Sequence, residues 1–298
     1  MLDYPSLFAL AAVVQEGSFE RAARALHVTP SAVSQRIRLL EERTGCTLII
    51  RGQPCVATEM GLRLCQHADR VRLLEHELRG QLPALGDDDG ALVNVPVAVN
   101  ADSLATWFVR AMTLFATRAP VLMQVFVDDE GHTAGWLRSG SVLAAVTAVE
   151  RPATGCNSRP LGAMRYVAAA SPAFMARYFP TGVSVDSLSA APSLRFNPKD
   201  DLQRRWVHRL CGRDVELPRH MLPSPQGFFA AGLAGMGWSL HPHALIGEHL
   251  DSGHLVELVP DTSLDVPLYW QHARTASTLL EGLTQAVVQI AQVELRQP

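Results

Sequence analysis

Lysine is almost absent from this 298-residue chain: of its 26 basic residues, only Lys199 is not an arginine. Such a bias is common in GC-rich genomes, so the abundance of arginine does not by itself point to phosphate recognition. Long apolar runs are missing as well. No stretch reaches the roughly 18 residues that a membrane-spanning helix needs. The start MLDYPSLFAL has no basic region ahead of its short apolar part. Neither membrane insertion nor export is expected, and the cytoplasm is the expected compartment. The five cysteines (Cys46, Cys55, Cys65, Cys156, Cys211) are odd in number and scattered. They lack the paired spacing of a zinc site, so reduced structural thiols are expected. Neither a Gly-x-Ser-x-Gly elbow nor a Gly-Lys-Ser/Thr phosphate loop is present. His241-Pro242-His243 has no acidic or thiol partner at metal-ligand spacing and reads as a loop after a strand at Trp238. No cofactor, no metal and no enzymatic activity are expected.

What is present is a chain long enough for two or three domains, 48% hydrophobic, with a mean hydropathy of +0.09 and a net charge of −3. The negative sum does not exclude nucleic acid, because only a docking face need be basic. The pattern divides in three. Residues 1–57 read as short helices and a small wing, and 58–91 as one long helix closed by Pro83 and the acidic turn at 86–90. Residues 92–298 alternate short apolar runs with helices, the mark of an α/β domain with a largely parallel sheet. Strands are predicted at 93–99, 121–127, 143–146, from Arg165, from Ser193, from Trp238 and from Leu268, and a terminal helix at 277–294.

The segment GSFERAARALHVTPSAVSQRIRLLEERTG carries the strongest signal. Ser18 is a natural N-cap, and Ala22 and Ala23 allow close approach of a second helix. Thr29-Pro30 restarts the helix as N-cap and first residue. Val33, Ile37 and Leu40 then form its buried stripe. This is a helix-turn-helix, whose second helix would enter the major groove. Gln35 can read an adenine edge, and Ser31 and Ser34 can reach bases or phosphates. Arg36, Arg38 and Arg51 are placed for phosphates. Residues 29–51 hold four arginines against two glutamates, so this face is locally positive.

With FALAAVVQEGSFERAARALHVTPSAVSQRIRLLEERTGCTLIIR, the chain resembles the N-terminal domain of LysR-type transcriptional regulators. One departure is Gly-Gln-Pro-Cys-Val-Ala-Thr after Arg51, where many members keep a second basic residue. The resemblance implies that the helix after the wing mediates dimerisation. Leu64, Val71, Leu74 and Leu78 offer a seam for it; the alternative is packing on the chain's own effector domain.

Downstream, the strand 93–99 ends in Asn100-Ala101-Asp102-Ser103 before a helical run. Free N–H groups there can hold an anion, while Asp128-Asp129-Glu130 ends the second strand. A basic amino acid would satisfy both features; solvated loop charges and a simple helix cap would explain them equally. NADSLATW, GSVLAAVT, YFPTGV, RFNPKDD and LYWQ resemble the ArgP/LysG branch, whose members activate genes for export of basic amino acids and respond to lysine or arginine. The resemblance implies an effector domain of two subdomains like a periplasmic binding protein. Subdomain I would span about 92–165 and 267–298, subdomain II about 166–266, with crossings near 165–168 and 266–268. It further implies an effector site at Asp102, Ser103, Asp128, Glu130, Thr147, Asp200, Asp201 and Ser224, with Trp107 in the core. Double-stranded promoter DNA, lysine or arginine, a second or further copies (homodimer or homotetramer) and RNA polymerase are the expected partners. Two rivals remain: an architectural DNA binder that inhibits replication initiation without a ligand, and a LysR-type regulator of another small molecule.

Overall fold

The structure is a computed structural model and describes residues 3–81, 93–128, 131, 133–274 and 278–297. Helices α1 (Tyr4–Glu16), α2 (Phe19–Ala25) and α3 (Pro30–Thr44) open the chain, each started by a side-chain cap. Asp3 accepts the N–H of Ser6, Ser18 that of Arg21, and Thr29 that of Ala32. Val33, Ile37 and Leu40 pack with Leu7, Leu10, Val13, Ala22 and Ala23 in one core. Strands β1 (Ile49–Ile50) and β2 (Val56–Ala57) form a two-stranded antiparallel wing. Helix α4 (Glu59–Gln81) leaves it directly. A Cβ on Gly61 would lie 2.0 Å from the Leu48 carbonyl oxygen, so glycine is what lets α4 start this close to the wing.

The apolar stripe of α4 is divided. Cys65 and Ala68 are buried in the N-terminal core with Leu64 packed beside them, while Leu73 joins the core of the C-terminal domain. Val71 is buried; Leu74 and Leu78 stay exposed. Gln66 donates to the Ser141 hydroxyl at 2.9 Å and Arg70 reaches the Gly140 carbonyl at 3.5 Å. The reading of Leu64, Val71, Leu74 and Leu78 as one continuous seam is therefore corrected. The first two face this chain's own packing, and the last two are free to face another surface.

The C-terminal domain begins with β3 (Val93–Asn100), α5 (Ala101–Ser103), a π-helical turn (Leu104–Phe108), α6 (Val109–Ala116), β4 (Val121–Asp128), α7 (Ala134–Ser139) and β5 (Ala144–Thr147). The long β6 (Cys156–Ala170) then leads into α8 (Pro172–Tyr178), α9 (Val185–Ala190), β7 (Ser193–Arg195), α10 (Leu202–Cys211), β8 (Arg219–Met221), α11 (Pro225–Leu233), β9 (Ser239–Pro242), α12 (His243–Asp251) and β10 (Val256–Glu257). The return strand β11 (Leu264–Ala273) and α13 (Thr278–Glu294) complete the fold.

The expectation of a largely parallel sheet needs correction. In the seven-stranded sheet β4 and β5 pair parallel with β3, but β6 pairs antiparallel with β11, β9 and β10, and β5 with β11. The reason is the double crossing: β6 carries the chain out of the first α/β unit, β11 brings it back, and strands running in opposite directions pair antiparallel. Period and composition show that a strand exists but not which way its neighbour runs. Trp107, Trp206, Trp238 and Trp270 are all buried, and they tie both α/β units to one core. His241-Pro242 ends β9 and His243 starts α12, so the expected loop there is also corrected.

Candidate functional site

Two sites stand out. On α3, Ser31, Gln35 and Arg38 are exposed at intervals of four and three residues, so they share one face, while Ser34 and Arg36 are half-buried beside it. The Ser31 hydroxyl shares a 3.0 Å hydrogen bond with the Thr29 hydroxyl, which orients it at the helix start. Arg38 pairs with Glu42 at 2.9 Å with both side chains largely in water, a contact that phosphate can displace at little cost. Arg51, just beyond β1, stacks its guanidinium 5.3 Å from the centre of the Phe19 ring. The stack holds the arginine on the wing side of the recognition helix.

The second site is a cavity of about 300 Å³ between the two α/β units. It lies at the C-terminal ends of the parallel strands, where helix starts and loop side chains converge. Asn100, Ala101 and Asp102 line it from the first unit, and Phe196, Lys199, Asp200, Asp201, Arg205, Phe228 and His241 from the second. Asn100 is 1% exposed, yet neither its amide nitrogen nor its amide oxygen has a hydrogen-bond partner among the described residues. A buried amide left unpaired costs about 1–3 kcal/mol, and a polar group in the cavity would offset that cost. The Ser103 hydroxyl, fully buried one turn away, is unpartnered in the same way.

The acidic groups are held individually. Asp102 accepts the Tyr166 hydroxyl at 2.8 Å, which ties the start of the 101–116 helical run to β6. Asp128 is the register partner of Asn100 across β4 and β3. It accepts the Trp136 indole N–H at 3.2 Å and the Lys199 ammonium at 3.1 Å. Asp200 accepts the N–H groups of Phe196 and Leu202, but burial dominates and pushes its carboxyl above the usual range. Asp201 pairs with Arg204 at 3.2 Å and Arg205 at 3.8 Å. His241 is buried, bonded to the Ser239 hydroxyl at 2.6 Å, and lowered by burial to about 4. It is therefore neutral at physiological pH.

The structure thus gathers Asp102, Asp200 and Asp201 on the cavity wall, with Asp128 reaching it through Lys199. Ser103 and Thr147 are buried behind the wall, where the Thr147 hydroxyl accepts the Val149 N–H. Ser224 is exposed and caps α11 through the Gly227 N–H, while its neighbour Pro225 lines the cavity. Glu130 and the acidic turn at 86–90 lie outside the described residues. Sequence reasoning missed Asn100, Lys199, His241 and the phenylalanines. A signal existed for two of them: Asn100 is the polar end of an otherwise apolar parallel strand, and Lys199 is the one lysine.

Residues 6–62 match the bacterial regulatory helix-turn-helix family of the lysR type, and residues 95–292 match the LysR substrate binding domain. The chain is 46% identical over 288 residues to the HTH-type transcriptional regulator ArgP of Pseudomonas fluorescens (strain Pf0-1), covering 97% of this chain and 96% of that one. The crystal structure of ArgP from Mycobacterium tuberculosis superposes with a TM-score of 0.80 at 41% identity, covering all of both chains. Full-length LysG from Corynebacterium glutamicum with bound effector Arg superposes with a TM-score of 0.68 at 38% identity, covering 99% of this chain and 100% of that one. With the helix-turn-helix at one end, the two-unit cavity at the other and both domains matched, the chain belongs to the LysR-type transcriptional regulators, in the branch that includes ArgP and LysG.

Proposed function

We propose that this regulator binds promoter DNA through α3 and the wing and adjusts transcription of a basic amino acid exporter gene when lysine or arginine fills the cavity. The observation that carries the ligand half is Asn100, a buried amide without a partner among the described residues, on the wall of a cavity that also presents Asp102, Asp200 and Asp201. A volume of about 300 Å³ stands at the small end of ligand pockets and suits one free amino acid. The hydrocarbon stem would lie along Phe196 and Phe228, with the cationic end toward the carboxylates. The effector carboxylate would meet Asn100 and the start of the 101–116 helical run, with Ser103 behind it. Arginine bound to the related LysG supports this chemistry.

In the DNA half, Ser31, Ser34 and Gln35 would face bases, and Arg36, Arg38 and Arg51 phosphates. The working form would be a cytoplasmic homodimer or homotetramer that contacts RNA polymerase and has no enzymatic activity. Ligand held between the two units would favour one arrangement of β6 and β11 and so change the spacing of the DNA-binding heads.

Calorimetric titration with lysine, arginine, histidine and leucine tests the ligand, and footprinting of the promoter with and without it tests the output. Saturable binding of lysine or arginine, weakened at least tenfold by Asp128→Asn or Ser103→Ala, is the expected result. Binding of none of the four would return the chain to ligand-independent architectural DNA binding or to another effector.

A further inference from the structure

Lys199 is singular by chemistry before any geometry is considered, as the one lysine of the chain. Its ammonium lies 3.1 Å from Asp128 Oδ1. Asp128 ends β4 in the first α/β unit and Lys199 stands between β7 and α10 in the second, so this ion pair spans the cleft. The loop that carries Lys199 is fixed. Asn197 Oδ1 accepts the N–H groups of Lys199 at 2.7 Å and Asp200 at 3.1 Å. The other Asp128 oxygen accepts the Trp136 indole N–H. Both oxygens of this carboxylate already accept a hydrogen bond, so a cation arriving in the cavity competes with the Lys199 ammonium for the same negative charge. Trp136 on α7 is packed against the Phe126 ring, with ring centres 4.9 Å apart, whereas Lys199 sits on a flexible four-carbon stem.

We propose that Lys199 is a built-in competitor for the cationic side chain of the effector: it occupies Asp128 in the ligand-free protein, and a basic amino acid enters by exchanging its own cation for the Lys199 ammonium. The inference rests on the effector reading above. The exchange leaves Asp128 paired in both states, so neither state strands a desolvated carboxylate. It also sets the sensitivity of the sensor, because the effector works against an internal ligand of its own chemical kind. An amino acid with an uncharged side chain has no side-chain cation to trade, which adds discrimination. The Lys199 side chain is 48% exposed and that of Asp128 22%, so the pair is a weak one and the exchange is reversible at modest effector concentration.

The test is arginine titration of the full-length protein as wild type, Lys199→Met, Asp128→Asn and the double variant, with circular dichroism to check folding. Methionine keeps an unbranched stem and removes the charge. Lys199→Met is expected to bind arginine about two- to fivefold more tightly than wild type. In the Asp128→Asn background the same substitution should change affinity less than about 1.5-fold, since nothing is left to compete for. Weaker or unchanged binding by Lys199→Met overturns the inference while leaving the effector reading intact. A gain that persists undiminished in Asp128→Asn overturns it too, because it would report general charge repulsion. Arginine binding by Lys199→Met alone supports it; absence of binding to both wild type and Lys199→Met brings down the effector reading and the inference together.

Discussion

At His241 a titratable ring is packed between Phe228 and Phe229, with ring centres 5.3 and 5.8 Å away, and its ring nitrogen is hydrogen-bonded to Ser239. Burial depresses its folded-state value from 6.5 to about 4, so the unfolded chain takes up the proton first. Stability is complete above about pH 6.5 and falls as pH drops toward 4, with a loss on the order of 2 kcal/mol near pH 5. Urea unfolding at pH 7.5 and 5.0 should show this loss in wild type and not in His241→Gln, which keeps a polar group for Ser239 but does not titrate. Equal losses in both would assign the acid sensitivity elsewhere. Asp200 works in the opposite sense: burial raises its value, because desolvation penalises the charged form. A cation in the cavity would relieve that cost, which gives a basic ligand an advantage that no exposed carboxylate could supply.

Among the elements, α4 does the most with the least sequence. Its first turn is capped by Thr58, whose hydroxyl accepts the Gly61 N–H at 3.1 Å and donates to the Thr47 carbonyl at 2.9 Å. The Leu48 carbonyl accepts the Thr58 N–H at 2.9 Å and lies where a Gly61 side chain would be. Gly61→Ala should therefore push the helix off the wing and break this bond. The expected loss is about 1–3 kcal/mol, read as a lower midpoint in thermal denaturation. A midpoint equal to wild type would mean that the wing moves freely enough to absorb a methyl group. For α3 the logic was legible in advance: Thr29 as cap, Pro30 at the first helical position, and an apolar stripe at 33, 37 and 40 are local signals, and each appears where it was read.

Across the whole molecule, one helix is anchored in both cores, through Cys65 and Ala68 at one end and Leu73 further along. The Gln66–Ser141 and Arg70–Gly140 contacts attach it to the turn after α7, whose Trp136 holds Asp128. Leu74 and Leu78 stay half in water on this helix, and under the proposed homodimer they are the apolar groups for a second copy to cover. Sedimentation of a Leu74→Glu/Leu78→Glu variant should show a shift toward monomer with the circular dichroism spectrum unchanged. An unchanged mass would place self-association on another face.

The sequence alone determined what depends on local spacing: the capped helices, the helix-turn-helix, the strands that alternate with helices, and the family of the chain. It also placed polar groups at strand ends, which led to Asp102 and Asp128, while Asp200 and Asp201 came from the family resemblance. Only the tertiary structure decided strand direction, because β6 and β11 are about a hundred residues apart and their antiparallel pairing leaves no mark in either one's pattern. It alone split the stripe of α4 between two cores. It also set Asn100 at the cavity wall without a partner among the described residues, and it brought Lys199 across the cleft to Asp128. Those four outcomes depend on groups far apart in the chain. Burial and charge pairing act through space, and spacing along a sequence does not encode them.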